Sequence, residues 1–230
     1  MVKILPDLEE IRRSLAPFRE RLEAYVELLS GFSGKVRLTG PSDENTLWNE
    51  HIMDCACGLP FLPPAGRIID VGTGGGLPGI VWSICRPDLE VHLLDSVSKK
   101  CRALEYIVTE LGLQNTIVLC SRSEELSSEE RETYDLAAAR AVTSLGVLGE
   151  YLSPLVSKGG RLMAFKGPHY RVEIREVSSE WKELGLSSPE VHQYRINEHE
   201  NYIIIWDKES PCPLKYPRRA GMAEKRPWWR

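Results

Sequence analysis

The chain has 230 residues, 42% hydrophobic, 27% charged and 8% aromatic. Those values exclude disordered, collagen-like and disulfide-scaffold classes, and the length suffices for a well-buried core without a metal or disulfide staple. The formal net charge of −4, from 29 Lys+Arg against 33 Asp+Glu, argues on its face against a nucleic-acid binder.

The first 30 residues carry apolar side chains at Leu8, Ile11, Leu15, Phe18, Leu22, Tyr25 and Leu29. Alternating steps of three and four make one apolar helical stripe. Asp7 with Glu10 has the form of a capping box, and Pro17 should break or kink the helix. A loop rich in Gly, Ser, Pro and Asp follows, then a second helical stretch from about Thr46 to Gly58. The N-terminus lacks the apolar core of a signal peptide, and no run approaches the roughly 20 apolar residues that span a bilayer. The six cysteines therefore read as reduced thiols of a cytoplasmic chain. Cys55-Ala56-Cys57 has no second Cys/His pair at ligand spacing, so no metal is expected.

From Arg67 short apolar runs alternate with helical stretches, beginning Ile68–Val71, Pro78–Cys85, Glu90–Leu94 and Ser98–Leu111. This rhythm predicts an α/β fold with a doubly wound, mostly parallel sheet. The ending differs: Val191–Asn197 and Tyr202–Asp207 flank a polar turn and read as an antiparallel hairpin. The chain divides on this reading into an N-terminal helical cap (1–64), a sheet domain (65–210) and a C-terminal arm (211–230).

The strongest local signal is Ile68-Ile69-Asp70-Val71-Gly72-Thr73-Gly74-Gly75-Gly76-Leu77-Pro78-Gly79. A strand enters a glycine-rich turn, and Pro78 stands where a helix would begin, its missing N–H costing nothing there. No Lys-Ser/Thr follows, so a phosphate-binding P-loop is excluded. Gly74-Gly75-Gly76-Leu77-Pro78-Gly79 satisfies the dinucleotide pattern, but a run so rich in glycine meets it easily. An acid at the strand end followed by alternating glycines, Asp70, Gly72, Gly74 and Gly76, favours S-adenosylmethionine, with Asp70 placed to meet its ammonium. Asp95, closing the next strand before Ser96, can accept from both ribose hydroxyls of either ligand. The run Ser121-Arg122-Ser123-Glu124-Glu125, after the third strand, stands where an adenine pocket forms. A dinucleotide, a nicotinamide-dependent oxidoreductase and a turn without a ligand stay open on these residues.

The fourth strand ends at Arg140. The Asn/Asp-Pro-Pro-aromatic motif of amine methylation is absent there, as is the cysteine nucleophile of pyrimidine C5 methylation. A cation cannot act as general base, but it can hold a phosphate or a base edge. The acceptor should then need neither deprotonation nor a covalent adduct. Guanine N7, an unprotonated lone pair, fits, and catalysis would be chiefly positioning by Arg140.

With these motifs together, the chain resembles the bacterial 16S ribosomal RNA guanine-N7 methyltransferases, also called glucose-inhibited division protein B. The resemblance covers nearly the whole chain. It rests on Arg37-Leu38-Thr39, His51-Ile52-Met53-Asp54, the run from Asp70 to Ile80, Leu94-Asp95-Ser96, Arg122-Ser123-Glu124-Glu125, Arg140-Ala141, Lys166-Gly167 and Tyr216-Pro217-Arg218-Arg219-Ala220-Gly221. It implies a class I S-adenosylmethionine-dependent methyltransferase fold, Rossmann-like, with a seven-stranded sheet whose last strand is antiparallel. It also implies S-adenosylmethionine as donor, a monomer, and 16S ribosomal RNA or the small subunit as partner. Cofactor contacts are expected at Asp70, Gly72, Thr73, Gly74, Gly76, Leu77, Asp95, Ser96, Ser123, Glu124 and Arg140. The family has Asn where Arg37 stands, so no role transfers to that position. His51 and Asp54, one helical turn apart, read either as a buried hydrogen-bonded pair or as substrate contacts. A cofactor-binding assembly factor without activity is the third open reading.

The last 18 residues place Lys215, Arg218, Arg219, Lys225, Arg226 and Arg230 against Glu224, a segment at +5. The rest of the chain is then at −9, so the net charge hides a basic tail. Tyr216, Trp228 and Trp229 are interleaved; cations neutralise phosphates and aromatics stack on unpaired bases. Pro211 just before the tail and Pro213, Pro217 and Pro227 within it should keep it from forming a helix or central strand. Lys166, Arg218, Arg219, Lys225 and Arg226 are the expected RNA contacts, on one basic face with Arg140. Deleting residues 213–230 should weaken RNA binding and leave cofactor affinity intact.

Overall fold

Strands with no polar alternation need cover on both faces, and the centre of this fold supplies it. The computed structural model describes residues 2–32, 36, 38, 40, 43–126 and 128–230. Arg37 and Thr39 of the first motif lie outside them. The strands are β1 (Val2–Ile4), β2 (Gly66–Val71), β3 (Leu89–Asp95), β4 (Thr116–Cys120), β5 (Tyr134–Arg140), β6 (Val156–Lys166), β7 (Glu190–Ile196) and β8 (His199–Asp207). They form one sheet in the order β1-β7-β8-β6-β5-β2-β3-β4. β8 runs antiparallel to both neighbours, and the other pairings are parallel. Among the described residues the sheet thus has eight strands, not seven. The extra one is β1, three exposed residues on the outer edge of β7.

The helices of the first 60 residues are α1 (Leu8–Ser14), α2 (Arg19–Gly31), α3 (Glu44–Thr46) and α4 (Met53–Ala56). Asp7 caps α1 by accepting from the Glu9 N–H at 3.3 Å. Pro17 sits in a 3-10 turn, Ala16–Phe18, that separates α1 from α2. Between α3 and α4 the chain widens into a π-helical segment, Leu47–Ile52. Leu22, Tyr25, Ile52 and Met53 share a core with Ile68, Leu93 and Leu136 of the sheet and with Ile80 of the helix that follows the glycine turn. The N-terminal helices are therefore packed directly on one face of the sheet.

Further along lie α5 (Gly79–Cys85), α6 (Ser98–Glu110), α7 (Leu145–Leu152), α8 (Tyr170–Val177) and α9 (Met222–Lys225). No helix among the described residues is long and apolar enough to cross a membrane.

The tail is bound to the body. Cys212, Tyr216 and Trp228 are buried in the second core cluster, with Trp181, Trp206 and α7. Trp228 donates its indole N–H to the Gly146 carbonyl at 2.7 Å. Arg131 donates to the carbonyls of Tyr216 and Cys212. Glu150 of α7, fully buried, receives the Arg218 backbone N–H (2.9 Å), Nε (2.9 Å) and Nη2 (2.6 Å). Two expectations are corrected here. Tyr216 and Trp228 have their rings in the core, where they cannot stack on bases. The short helix α9 forms despite the prolines, because Met222–Lys225 contains none of them.

Candidate active site

Asp70 is the last polar residue of β2 and is only 1% exposed. Its Oδ2 accepts from the Thr73 hydroxyl at 2.5 Å and from the Gly79 N–H at 2.8 Å, tying both ends of the glycine turn to the strand. Tyr25 reaches down from α2 and donates to the Gly75 carbonyl at 2.8 Å. Gly72 and Gly74 have φ of +72° and +60°, a region that disfavours any side chain. A Cβ on Gly72 would also stand 2.7 Å from Val142.

The turn opens on a cleft of about 330 Å³ at the carboxyl ends of β2, β3 and β5, where open α/β sheets bind ligands. Gly72, Asp95, Ser96, Ser123 and Glu124 line it, with Lys100, Arg122, Tyr151 and Glu224. Asp95 accepts from the N–H groups of Gly74 (3.0 Å) and Val97 (2.9 Å), which fix its carboxylate at the floor. Asp70, Thr73, Gly74, Gly76 and Leu77 shape the turn and stand outside that lining. Glu124 accepts from the Ser123 hydroxyl and from the Gly221 N–H of the tail. The tail therefore helps wall the cleft. Deleting residues 213–230 would disturb it, contrary to the expectation that cofactor affinity survives.

Arg140 ends β5 and lines a second cavity of about 190 Å³, with Glu50, His51, Asp54, Ile196, His199 and Asn201. Its Nη1 lies 3.0 Å from Asp54 Oδ2 and 3.1 Å from His51 Nδ1. Tyr194 donates its hydroxyl to the other Asp54 oxygen. A guanidinium only donates, so Nδ1 is the acceptor and the His51 proton rests on Nε2. Burial, then the Arg140 charge, pushes the His51 ring below its ordinary range and keeps it neutral at pH 7. His51 and Asp54 thus meet through Arg140.

Of the expected RNA contacts, Lys166 donates to the Thr143 carbonyl (2.5 Å) and pairs with Glu173 (2.8 Å). Arg218 is held by Glu150, as described above. Neither is on an open basic face with Arg140, which is itself neutralised by Asp54. Arg219, Lys225 and Arg226 are exposed. The sequence reading missed Tyr25, Tyr194 and Glu150, and the cleft walls Tyr151 and Glu224. Tyr25 was visible only as one more position of an apolar stripe.

The glycine turn and the cleft it opens on suit S-adenosylmethionine. The second oxygen of Asp70, Oδ1, is buried with no hydrogen-bond partner among the described residues, an orphan acceptor suited to an ammonium. Burial pushes the Asp70 carboxyl up to about 6, against the hydrogen bonds from Thr73 and Gly79 that favour its charge. A carboxyl raised in the folded state favours folding below its ordinary range and loses that contribution as pH rises through 6. Asp70→Asn should therefore unfold at higher urea than the parent at pH 8, the gap closing towards pH 4, while calorimetry shows weaker cofactor binding. Equal urea midpoints at pH 8 would mean that the charge is fully compensated in place.

The sheet order, reversed only at its last strand, together with a glycine turn after the first strand of the doubly wound part, defines the class I S-adenosylmethionine-dependent methyltransferases. A solved 16S rRNA (adenine(1408)-N(1))-methyltransferase from Catenulisporales acidiphilia, with cosubstrate SAM, matches in fold. The match covers 64% of this chain and 86% of that one at TM-score 0.51 and 16% identity. The family model for rRNA small subunit methyltransferase G matches residues 19–202. The ribosomal RNA small subunit methyltransferase G of Moorella thermoacetica is 38% identical over 214 residues, covering 90% of this chain and 88% of its own. That of Symbiobacterium thermophilum is 36% identical over 219 residues, covering 90% and 89%. The chain belongs to the rRNA small subunit methyltransferase G family, whose members are S-adenosylmethionine-dependent rRNA methyltransferases, and S-adenosylmethionine is its cofactor.

Proposed function

We propose that this enzyme methylates N7 of one guanine in the 16S ribosomal RNA of the small subunit, by direct displacement without general base or covalent adduct. The observation that carries the reading is the state of Arg140 and its neighbours at the end of β5. Both Asp54 oxygens are engaged, by Arg140 and Tyr194, and the one His51 lone pair is taken by Arg140. None of the three is free to take a proton. Cys55, beside them, is fully buried, and burial holds its thiol far above the ordinary range, so it is no nucleophile at neutral pH. A site so equipped suits an acceptor that attacks with a ready lone pair, as guanine N7 does.

S-adenosylmethionine, when bound, supplies a methyl activated on a sulfonium. Asp70, Asp95, Ser96, Ser123 and Glu124 would hold it, with Gly72, Thr73, Gly74, Gly76 and Leu77 shaping the turn against it. Arg140 would orient the acceptor base from the other side. Arg219, Lys225 and Arg226 would meet phosphates, and Lys166 and Arg218 would order the segments around them. The target base has to leave its stack to reach the methyl in line. We propose further that the enzyme acts as a monomer in the cytoplasm.

The test is to incubate undermethylated small subunits with methyl-labelled cofactor and map the labelled nucleotide by N7-specific strand scission. One scission at one guanine is expected. Label at a ring amine, a ribose or a pyrimidine would refute the reading.

A further inference from the structure

Guanine and adenine both carry N7 as a free lone pair, so displacement chemistry alone does not choose between them. The difference lies next door on the same edge, where guanine has the O6 acceptor and adenine an N6 amino donor. A site that offers donors and withholds acceptors there selects guanine.

The second cavity has such a donor. The His51 Nδ1 lone pair is committed to Arg140, so its one proton is on Nε2. That nitrogen is buried and has no hydrogen-bond partner among the described residues. Leaving a buried N–H unpaired is costly, and native structures seldom do so without a role for it. His51 also sits in the π-helical segment Leu47–Ile52, a local widening found often at functional sites. Arg140, its hydrogen-bond partner, can only donate; Glu50, His199 and Asn201 line the rest of the cavity, and Glu50 Oε1 accepts from the Asn197 amide at 3.3 Å. Both Asp54 oxygens, acceptors that could have welcomed an amino group beside Arg140, face Arg140 and Tyr194 instead.

We propose that the cavity beside Arg140 receives the acceptor purine and that His51 Nε2–H donates to guanine O6, selecting guanine over adenine and positioning N7. The inference rests on the guanine-N7 reading above.

Two substitutions separate this role from support of Arg140. His51→Asn puts an amide oxygen where Nδ1 accepts from Arg140 and removes the donor at Nε2. His51→Gln does the reverse, restoring a donor near Nε2. Steady-state methyl transfer to undermethylated small subunits, with cofactor affinity measured by calorimetry, reads the outcome. His51→Asn should lose about tenfold in kcat/KM, the size of one hydrogen bond, with cofactor affinity unchanged. His51→Gln should recover most of that loss. Small subunits reconstituted with 2-aminopurine, which lacks O6, at the target should narrow the gap between parent and His51→Asn to within about twofold. The reverse ranking of the two variants, or an undiminished gap on 2-aminopurine, would show that His51 serves only to hold Arg140. A parent enzyme that labels anything other than guanine N7 would overturn the functional reading itself and this inference with it. A parent that labels N7 equally well with His51→Asn in place would overturn this inference alone.

Discussion

Arg218→Ala should lower unfolding stability by about 3 kcal/mol, although a basic tail residue would ordinarily be dispensable. The reason is Glu150, with no exposure to solvent in the middle of α7. Its carboxylate takes three N–H groups from Arg218, and nothing apolar nearby can replace them. Removing the guanidinium strands a buried charge, which is far costlier than the pair is worth. Glu150→Gln added to Arg218→Ala should recover a large part of the loss, because a neutral amide needs less solvation. Urea denaturation of the parent, the single variant and the double variant measures this. A single variant within about 0.5 kcal/mol of the parent, the scatter of ordinary surface substitutions, would mean that water reaches Glu150. Deleting the whole tail would do more, uncovering the Trp181 and Trp206 rings and removing the Gly221 N–H from Glu124 at the cleft wall. Loss of RNA binding in such a deletion would therefore be inseparable from loss of fold and of cofactor binding.

The tail shows why counting charges misled. Net charge sums residues, whereas RNA sees only the cations left after pairing. Arg218 and Glu150 lie 68 residues apart, and Lys166 finds its carboxylate on the following helix. Those pairings are set by tertiary packing and leave no local pattern. The central strands and the glycine turn were readable because their signals are local: unbroken apolar runs, an acid at a strand end and a proline at a helix start. β1 escaped notice because three exposed residues carry no periodicity, and its place is decided by the free edge of β7. The π-helical segment escaped because Leu47–Ile52 has the same helical composition as its flanks. The Arg140 cluster was half visible: His51, Asp54 and Arg140 each stood out, but their convergence spans 86 to 89 residues. Tyr194, at 140 residues from Asp54, looked like one more position of a hairpin strand.

That convergence makes Arg140 the residue whose replacement should cost the most activity. Among the described residues, the hydrogen bonds of its side chain are made through Nη1, to Asp54 and His51. Nη2 and Nε remain as donors beside the second cavity. Arg140→Lys keeps a positive charge for Asp54, so the fold should hold and the urea midpoint should move little. It removes the planar fork that presents further donors, and an ammonium cannot replace a fork in fixed orientation. Methyl transfer should fall by about 10²-fold, the scale of losing one preorganised donor at a reacting centre, while calorimetry finds cofactor bound nearly as before. Arg140→Ala should differ in kind, losing transfer and also stability, because Asp54 is then a largely buried carboxylate facing only Tyr194. Asp54→Asn in the Arg140→Ala background should return the stability without returning the transfer. If Arg140→Lys transferred methyl at the parent rate, neutralising Asp54 would be the whole task of Arg140, and the acceptor base would have to be oriented by other groups of the second cavity.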